Sequence, residues 1–382
     1  MAGKRTSKNL QKFYDFYRAS YGRLGKCAAS YNRGLKKEKN PVIRVFMEDL
    51  ADLNTGGKML RGMLVNLGYQ IARRTAGEEV DVSPSDALAL AFEMFQTGVL
   101  VHDDVIDKSG TRRGKYTIHQ RFLHRMDVRG IQMPAQSEKP DHIANSAAIC
   151  VGDLGIYFAN RQIVDAYRSE PCLAEMLAYF DDVVIRTIRG ELLDVVLPSE
   201  LQDSARSEEE KKALLEKSVW DIYFMKTAAY SIIGPVHLGM ILGGADEKEM
   251  KAMDRFAEEL GIAYQIMDDI LGIYADPEYL GKDVGSDIEE FKQTILYMYV
   301  HNMKPEYLPE LEIYYGQKNI NLKELAEVQR IFRESGALAY AQEMLALRFE
   351  QAEKRLGRMK FVDAEDKAIL RGFIEYCKGR RK

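Results

Sequence analysis

The chain has 382 residues, 46% of them hydrophobic, and a formal net charge of −4. It can therefore bury a sizeable core, and it lacks the strongly basic balance of a nucleic-acid binder. Its four cysteines, Cys27, Cys150, Cys172 and Cys377, form no CxxC pair; they read as reduced thiols of a cytoplasmic protein, not as a zinc site or a disulfide frame. The basic start, MAGKRTSKNLQKFYDFY, has no apolar stretch behind it and does not read as a secretory signal. Along the chain, apolar residues recur at helical spacing, as in Phe46, Leu50 and Leu53 early and Ala341, Leu345 and Phe349 late. There are only ten prolines, and no alternating pattern joined by a hairpin dipeptide, so the fold class reads as all-α. Three segments interrupt the helical pattern: 125–141, the charge-dense 198–217 (a loop or a solvated helix), and 275–287. None resembles a linker. One domain over 1–382 is expected, with its motifs in 56–294, a helical lead-in over 1–55 and C-terminal helices over 295–382. The longest uncharged run, 227–245, holds Pro235, His237 and four glycines. It reads as core helix and not as a membrane span.

Charged residues then cluster in chain order. Gly56-Gly57 open a helix on which Lys58 and Arg61 share a face, without the Ser/Thr of a Walker A loop. In the segment 99–107, VLVHDDVID, Asp103 and Asp107 lie one helical turn apart. Like charges at that spacing repel, and a divalent cation relieves the repulsion. Magnesium suits such carboxylates because it takes one or two of them and completes its shell with phosphate oxygens. Arg112 and Arg113 follow, with Gly114 to turn the backbone; guanidinium forks match phosphate oxygens. The second acidic pair, Asp268-Asp269, repeats the context of the first: an apolar helix, acids, then a glycine-bearing loop with Lys282 and Lys292. Asp181-Asp182 lacks the basic loop and reads as solvated surface. The basic tail at 378–382 reads as solvated as well.

In order, the motifs are GGKMLR at 56–61, HDDVID at 102–107, RRGKYTIH at 112–119, AAICVGD at 147–153, IRGELLD at 188–194, MKTA at 225–228, YQIMDDILG at 264–272 and GKDVGSDIEEFKQT at 281–294. The chain thereby resembles the trans-isoprenyl diphosphate synthases, the polyprenyl synthetase family, and is similar to geranylgeranyl diphosphate synthases. The resemblance implies a helical bundle around a deep central cavity and a homodimer. It implies that Asp103, Asp107 and Asp268 ligate three magnesium ions, with Asp104 and Asp269 in support. Arg112, Lys226 and Lys282 would grip an allylic diphosphate, with Lys292 a less secure addition. Lys58, Arg61, Gln96 and Arg113 would bind isopentenyl diphosphate, and Thr227 and Gln265 would face the developing allylic cation. The sequence departs from the family pattern at Gly272, where many members carry a third acid, at Glu191, where Gln is frequent, and at Phe291, which stands in a usual glycine position.

Product length is expected to depend on the helix ahead of Asp103. Gly98 and Val99 are small enough to let a growing chain pass, and Phe95 and then Phe92 would form its floor. Geranylgeranyl diphosphate, with twenty carbons, is the expected product; farnesyl or geranylfarnesyl diphosphate are the alternatives. A class I terpene cyclase is disfavoured because it needs no isopentenyl site. A non-catalytic subunit of a two-chain synthase is disfavoured because both aspartate motifs are kept.

Overall fold

The computed structural model describes residues 7–78, 80–134, 137–275 and 285–380. Its helices are α1 (Lys8–Leu35), α2 (Pro41–Leu53), α3 (Leu60–Thr75), α4 (Asp86–Ile106), α5 (Ile118–Val128), α6 (Pro140–Tyr167), α7 (Leu173–Leu201), α8 (Glu208–Ile222), a π-helix (Tyr223–Ile233), α9 (Gly234–Gly243), α10 (Glu247–Tyr274), α11 (Ser286–Glu289), α12 (Ile295–Met303), α13 (Leu308–Leu311), α14 (Leu322–Glu334), α15 (Ala337–Arg358) and α16 (Ala364–Lys378). The all-α reading holds, with one small exception among the described residues. Strands β1 (Thr111–Arg112) and β2 (Lys115–Tyr116) pair antiparallel. Their turn is Arg113-Gly114, with φ of +55° and +73°. Two positive φ values are what a type I′ hairpin demands. An arginine in the first turn position hid it from the sequence reading.

Helix starts follow from short-range chemistry. Ser207 and Glu210 close a capping box at α8, as do Asp246 and Glu249 at α10 and Asn321 and Glu324 at α14. The charged segment 198–217 is accordingly divided, with Pro198 inside the end of α7 and α8 beginning at Glu208. The uncharged run 227–245 is spread over the π-helix, α9 and the turn after it. Among the described residues no helix is long and apolar enough to cross a membrane.

The chain resolves into two compact units, each discontinuous in sequence. One comprises Tyr14–Ala178 with Leu238–Gly244; the other comprises Met1–Phe13, Tyr179–His237 and Ala245–Lys382. Three of the divisions fall inside α1, α7 and α9, where no linker composition marks them. In the first unit, α4 is buried along most of its length and crosses α6 closely. A Cβ on Gly98 would lie 2.7 Å from the Gly152 carbonyl oxygen and 2.9 Å from the Ile156 nitrogen. Leu50, Val101, Ile118, Ala148 and Val151 form a buried cluster around this crossing. In the second unit, Gly261 of α10 brings that helix against Ala228 of the π-helix. Glu259 of α10 is ion-paired to Arg348 and Arg355 of α15 at 2.8 and 2.7 Å. Phe13 stacks on Phe373 and packs against Tyr376, both of α16, which ties the start of α1 to the last helix.

Candidate active site

The first unit carries the first acidic motif on the last turn of α4. Arg112 forks across it: Nη2 donates to Asp103 Oδ2 at 2.7 Å, and Nε donates to Asp104 Oδ1 at 2.6 Å. Burial works against the guanidinium's charge, but the two aspartates outweigh it and hold the group above its ordinary pKa. Asp104 is buried and Asp103 is more open, with side chains 1% and 19% exposed. Asp107 caps α4 at its C-terminal end, its N–H donating to the Asp103 carbonyl at 2.8 Å. His102, which was not singled out beforehand, fixes this turn onto α6. Its Nε2 lies 3.0 Å from the Ile149 carbonyl oxygen and 3.3 Å from the Asp153 carboxylate.

The hairpin turn sends the next arginine elsewhere. A Cβ on Gly57 would lie 2.9 Å from Arg113 Nη2, so the guanidinium rests on the glycine loop. That loop holds Lys58, whose carbonyl accepts the Tyr17 hydroxyl at 2.8 Å. Met59, in the left-handed region with φ of +48°, then opens α3 without any side-chain cap of its own. Arg61 sits in the first turn of α3, and Gln96 is half-buried on α4. The structure thus gathers Gly57, Lys58, Arg61 and Arg113 around one loop and one helix start.

In the second unit, Lys226 lies in the π-helix. Its Nζ contacts Glu191 Oε2 at 2.8 Å and Asp194 Oδ2 at 2.7 Å. Glu191, the residue in place of the more frequent glutamine, is thus a direct partner of Lys226. Thr227, the next residue, donates its hydroxyl to Gln265 Oε1, and Gln265 Nε2 donates to Asp269 Oδ1 at 2.8 Å. Asp269 Oδ2 accepts the Tyr223 hydroxyl, and Tyr223 accepts the Ile295 N–H at 2.8 Å.

This network surrounds Asp269, which the resemblance places in support of a metal. The residue is buried with both oxygens already engaged, and burial, reinforced by Asp287, pushes its carboxyl up to about 8. It holds Gln265 and Tyr223. Asp104 is buried under Arg112, its Oδ1 accepting from the guanidinium Nε.

Asp268 is the open acid of the second pair, 37% exposed, and Arg380 Nη2 donates to its Oδ1 at 2.6 Å. The Arg380 guanidinium lies 3.8 Å above the Tyr264 ring and is itself only 8% exposed. The solvated-tail expectation is therefore overturned at Arg380; residues 381 and 382 lie outside the described residues. So does Lys282. At Gly272 the departure from the family pattern has a steric counterpart. A Cβ there would lie 2.6 Å from Asp287 Oδ2, so a carboxylate from α11 fills the space next to the missing side chain. Phe291 takes φ of +58°, the conformation for which glycine is favoured, and its ring is held at 6.1 and 6.0 Å by Tyr297 and Tyr315. Lys292 pairs with Glu290 at 2.8 Å. The decoy pair Asp181-Asp182 is exposed, as expected.

Phe92 and Phe95 are fully buried, edge to face at 6.1 Å. Val99 is half-buried. At Gly98 the missing side chain makes room for the backbone of α6.

Asp103 and Asp268 fit a hard cation. Each is an open carboxylate that already holds a cationic group, here a guanidinium. Among the described residues no cluster of three or more His, Cys, Asp or Glu is spaced to hold an ion. A metal here would need oxygens from a bound anion, which is magnesium's habit at phosphate sites.

Comparison with known proteins agrees with this chemistry. The family model for polyprenyl synthetase matches residues 44–332. The short chain isoprenyl diphosphate synthase of Methanothermobacter thermautotrophicus is 28% identical over 326 residues, covering 84% of this chain and 87% of that protein. The geranylfarnesyl diphosphate synthase of Aeropyrum pernix is 28% identical over 348 residues, covering 86% and 92%. The crystal structure of geranylgeranyl pyrophosphate synthase from Corynebacterium glutamicum, complexed with isoprenyl diphosphate and magnesium, superposes with a TM-score of 0.81. It is 24% identical, over 96% of this chain and 98% of that one.

Proposed function

The chain belongs to the polyprenyl synthetase family, and we propose that it condenses isopentenyl diphosphate with an allylic diphosphate to give a longer all-trans polyprenyl diphosphate. The observation that carries this reading is the parting of two adjacent arginines. Arg112 joins the carboxylates of the first acidic motif, whereas Arg113 joins the loop of Lys58 and Arg61. One reaction that needs two diphosphates, one held through metal and one held by cations alone, matches that division.

In this reading Asp103, Asp107 and Asp268 hold magnesium, three ions with the allylic diphosphate bound. When bound, magnesium neutralises charge that builds on the departing diphosphate. Arg112, Lys226 and Lys282 hold the same group, and Lys292 is the remaining candidate for it. The allylic carbon–oxygen bond breaks, the double bond of isopentenyl diphosphate attacks the resulting cation, and a proton leaves to the released diphosphate. Lys58, Arg61, Gln96 and Arg113 fix the attacking substrate. The Thr227 hydroxyl proton is committed to Gln265, which leaves its oxygen lone pairs for the cation; Gln265 is in turn held by Asp269. Orientation and exclusion of water supply the rest. Incubation with radiolabelled isopentenyl diphosphate, a series of allylic primers and magnesium tests this. A longer prenyl diphosphate is expected. A cyclic hydrocarbon formed from the primer alone would establish a cyclase, and activity only on addition of a partner chain would establish a subunit.

Geranylgeranyl diphosphate is the proposed product. The named relatives differ in product length, so the assignment rests on Phe95 as the floor of the path, with Phe92 behind it. Three helical residues rise roughly 4.5 Å, about one isoprene unit. Phe95→Ala is expected to lengthen the product by about one such unit. Chromatography of the dephosphorylated products reads this, and an unchanged product removes Phe95 from that role.

A homodimer is also proposed. On α7, Ile185, Ile188, Leu192 and Val195 are 50% or more exposed. They recur every three or four residues, an apolar stripe that a soluble helix normally covers. A second copy of the chain is the proposed cover. Leu192→Glu is expected to convert a dimer into a monomer in light scattering; a dimer unchanged by the charge would place the interface elsewhere. Residence in the cytoplasm accords with the lack of a membrane-crossing helix among the described residues.

A further inference from the structure

Glu93 is a buried acid that the mechanism above does not use. It sits on α4, three residues before Gln96 and ten before Asp103, and it is only 8% exposed. A carboxylate so deeply buried needs partners, because removal from water disfavours its charge. Its partners lie in the first turn of α3. Oε1 accepts the Gly62 N–H at 2.8 Å. Gly62 has no side chain, and a Cβ there would come within 3.3 Å of Glu93 Cγ and 3.0 Å of the Ala89 carbonyl, so the start of α3 rides directly on α4.

The start of α3 has no cap of its own. Its N-cap, Met59, is left-handed and offers no side-chain acceptor. Helix N-termini leave N–H groups exposed and favour a negative charge. Glu93 supplies both the acceptor and the charge from a neighbouring helix. The Arg61 N–H also bonds to it, and the guanidinium charges of Arg61 and Arg113 favour its ionised form, but burial is the larger influence and holds its carboxyl above the usual range. The same field acts in reverse on the arginines. Two guanidiniums gathered beside Lys58 repel each other when no diphosphate is bound, and the Glu93 carboxylate, when ionised, offsets that repulsion.

We infer that Glu93 is a positioning residue for isopentenyl diphosphate, holding the start of α3 on α4 and aligning Arg61 and Arg113 for the diphosphate. This inference rests on the assignment of Lys58, Arg61 and Arg113 to that substrate. Glu93 touches no substrate itself. Its action runs through the backbone at Gly62 and through the charge on the two arginines, and it should affect one substrate and not the other.

Glu93→Gln keeps the size and the N–H acceptor and removes the charge. Steady-state kinetics, varying each substrate in turn, are expected to show KM for isopentenyl diphosphate raised about tenfold, a change of about 1.4 kcal/mol. KM for the allylic diphosphate should stay within about twofold, and the thermal midpoint should stay near that of the parent. In an Arg113→Ala background the same substitution is expected to have a smaller effect, because one of the two arginines it acts through is gone. Equal changes in both KM values, or a lowered thermal midpoint with KM unchanged, would make Glu93 a purely structural residue and overturn the inference. The substrate assignment is tested separately by Arg61→Ala and Arg113→Ala. If neither raises KM for isopentenyl diphosphate, the assignment falls and the inference falls with it; if they do and Glu93→Gln does not, only the inference falls.

Discussion

Replacing Asp103 by alanine is expected to lower kcat by about a thousandfold or more, equivalent to roughly 4 kcal/mol of transition-state stabilisation. Asp103 is the more open acid of the first pair and faces the Arg112 fork. Its loss removes an oxygen donor for a cation and also one of the two anions that hold Arg112 in place. The Arg112 guanidinium would keep its pairing to Asp104, so the fold should survive. Circular dichroism and thermal unfolding are expected to remain close to the parent while single-turnover condensation slows. A variant that retained more than about a tenth of the activity would remove Asp103 from the metal set.

Gly98→Leu is expected to act on stability and only through it on activity. The atoms that a side chain at 98 would meet are backbone atoms of α6: the Gly152 carbonyl oxygen, the Ile156 nitrogen and the Gly155 carbonyl carbon. Backbone cannot swing aside as a flexible side chain can. Overpacking against it costs about 3 kcal/mol or more, which for a protein of this size lowers Tm by roughly 4 °C. Even Gly98→Ala should destabilise, although alanine gains about 1 kcal/mol over glycine in helix propensity. A Gly98→Ala enzyme with unchanged Tm and a shorter product would restore Gly98 to the product path. Differential scanning fluorimetry and product chromatography on the same sample decide between the two.

Gly98 also shows where sequence reasoning stops. A glycine five residues before Asp103 can be read as space for a ligand or as space for another helix, and the sequence around it does not distinguish them. Only the close crossing with α6 does. The motif residues were legible because their chemistry lies in residue type and local spacing. Lys58, Arg112 and Arg113 can be singled out from the chain alone, since acids, cations and glycines recur there in a pattern that solvated surfaces seldom show, whereas Gln265 entered only through the resemblance. The surroundings of Asp269 were not legible, for the opposite reason. Its neighbour Asp268 is open and Asp269 is buried, and consecutive helical residues point about 100° apart, but which one faces inward depends on Tyr223 and Gln265. Glu93 carries no local signal at all, being one acid among 58 Asp and Glu residues whose partner, Gly62, lies 31 residues away. Phe291 is an intermediate case. The departure from glycine is visible in the sequence, whereas the means of tolerating it, a cage of Tyr297 and Tyr315, is not.

The π-helix at Tyr223–Ile233 bears on what changes in chain length this segment can accept. A π-helix winds more slowly than an α-helix because its hydrogen bonds span five residues instead of four. Lys226 and Thr227 therefore serve different neighbours, α7 and α10, from one continuous stretch. Deleting a single residue between them and Gly234 would let the stretch relax to ordinary winding. The helix on the far side would then be out of phase by about 100°, the turn one residue makes in an α-helix. Gly234, whose absent side chain accommodates Val183 of α7, would rotate off its contact. The extra width of this one segment thus sets the rotational register of two helix contacts, and a lineage can lengthen the surface loops freely while leaving this count of residues unchanged.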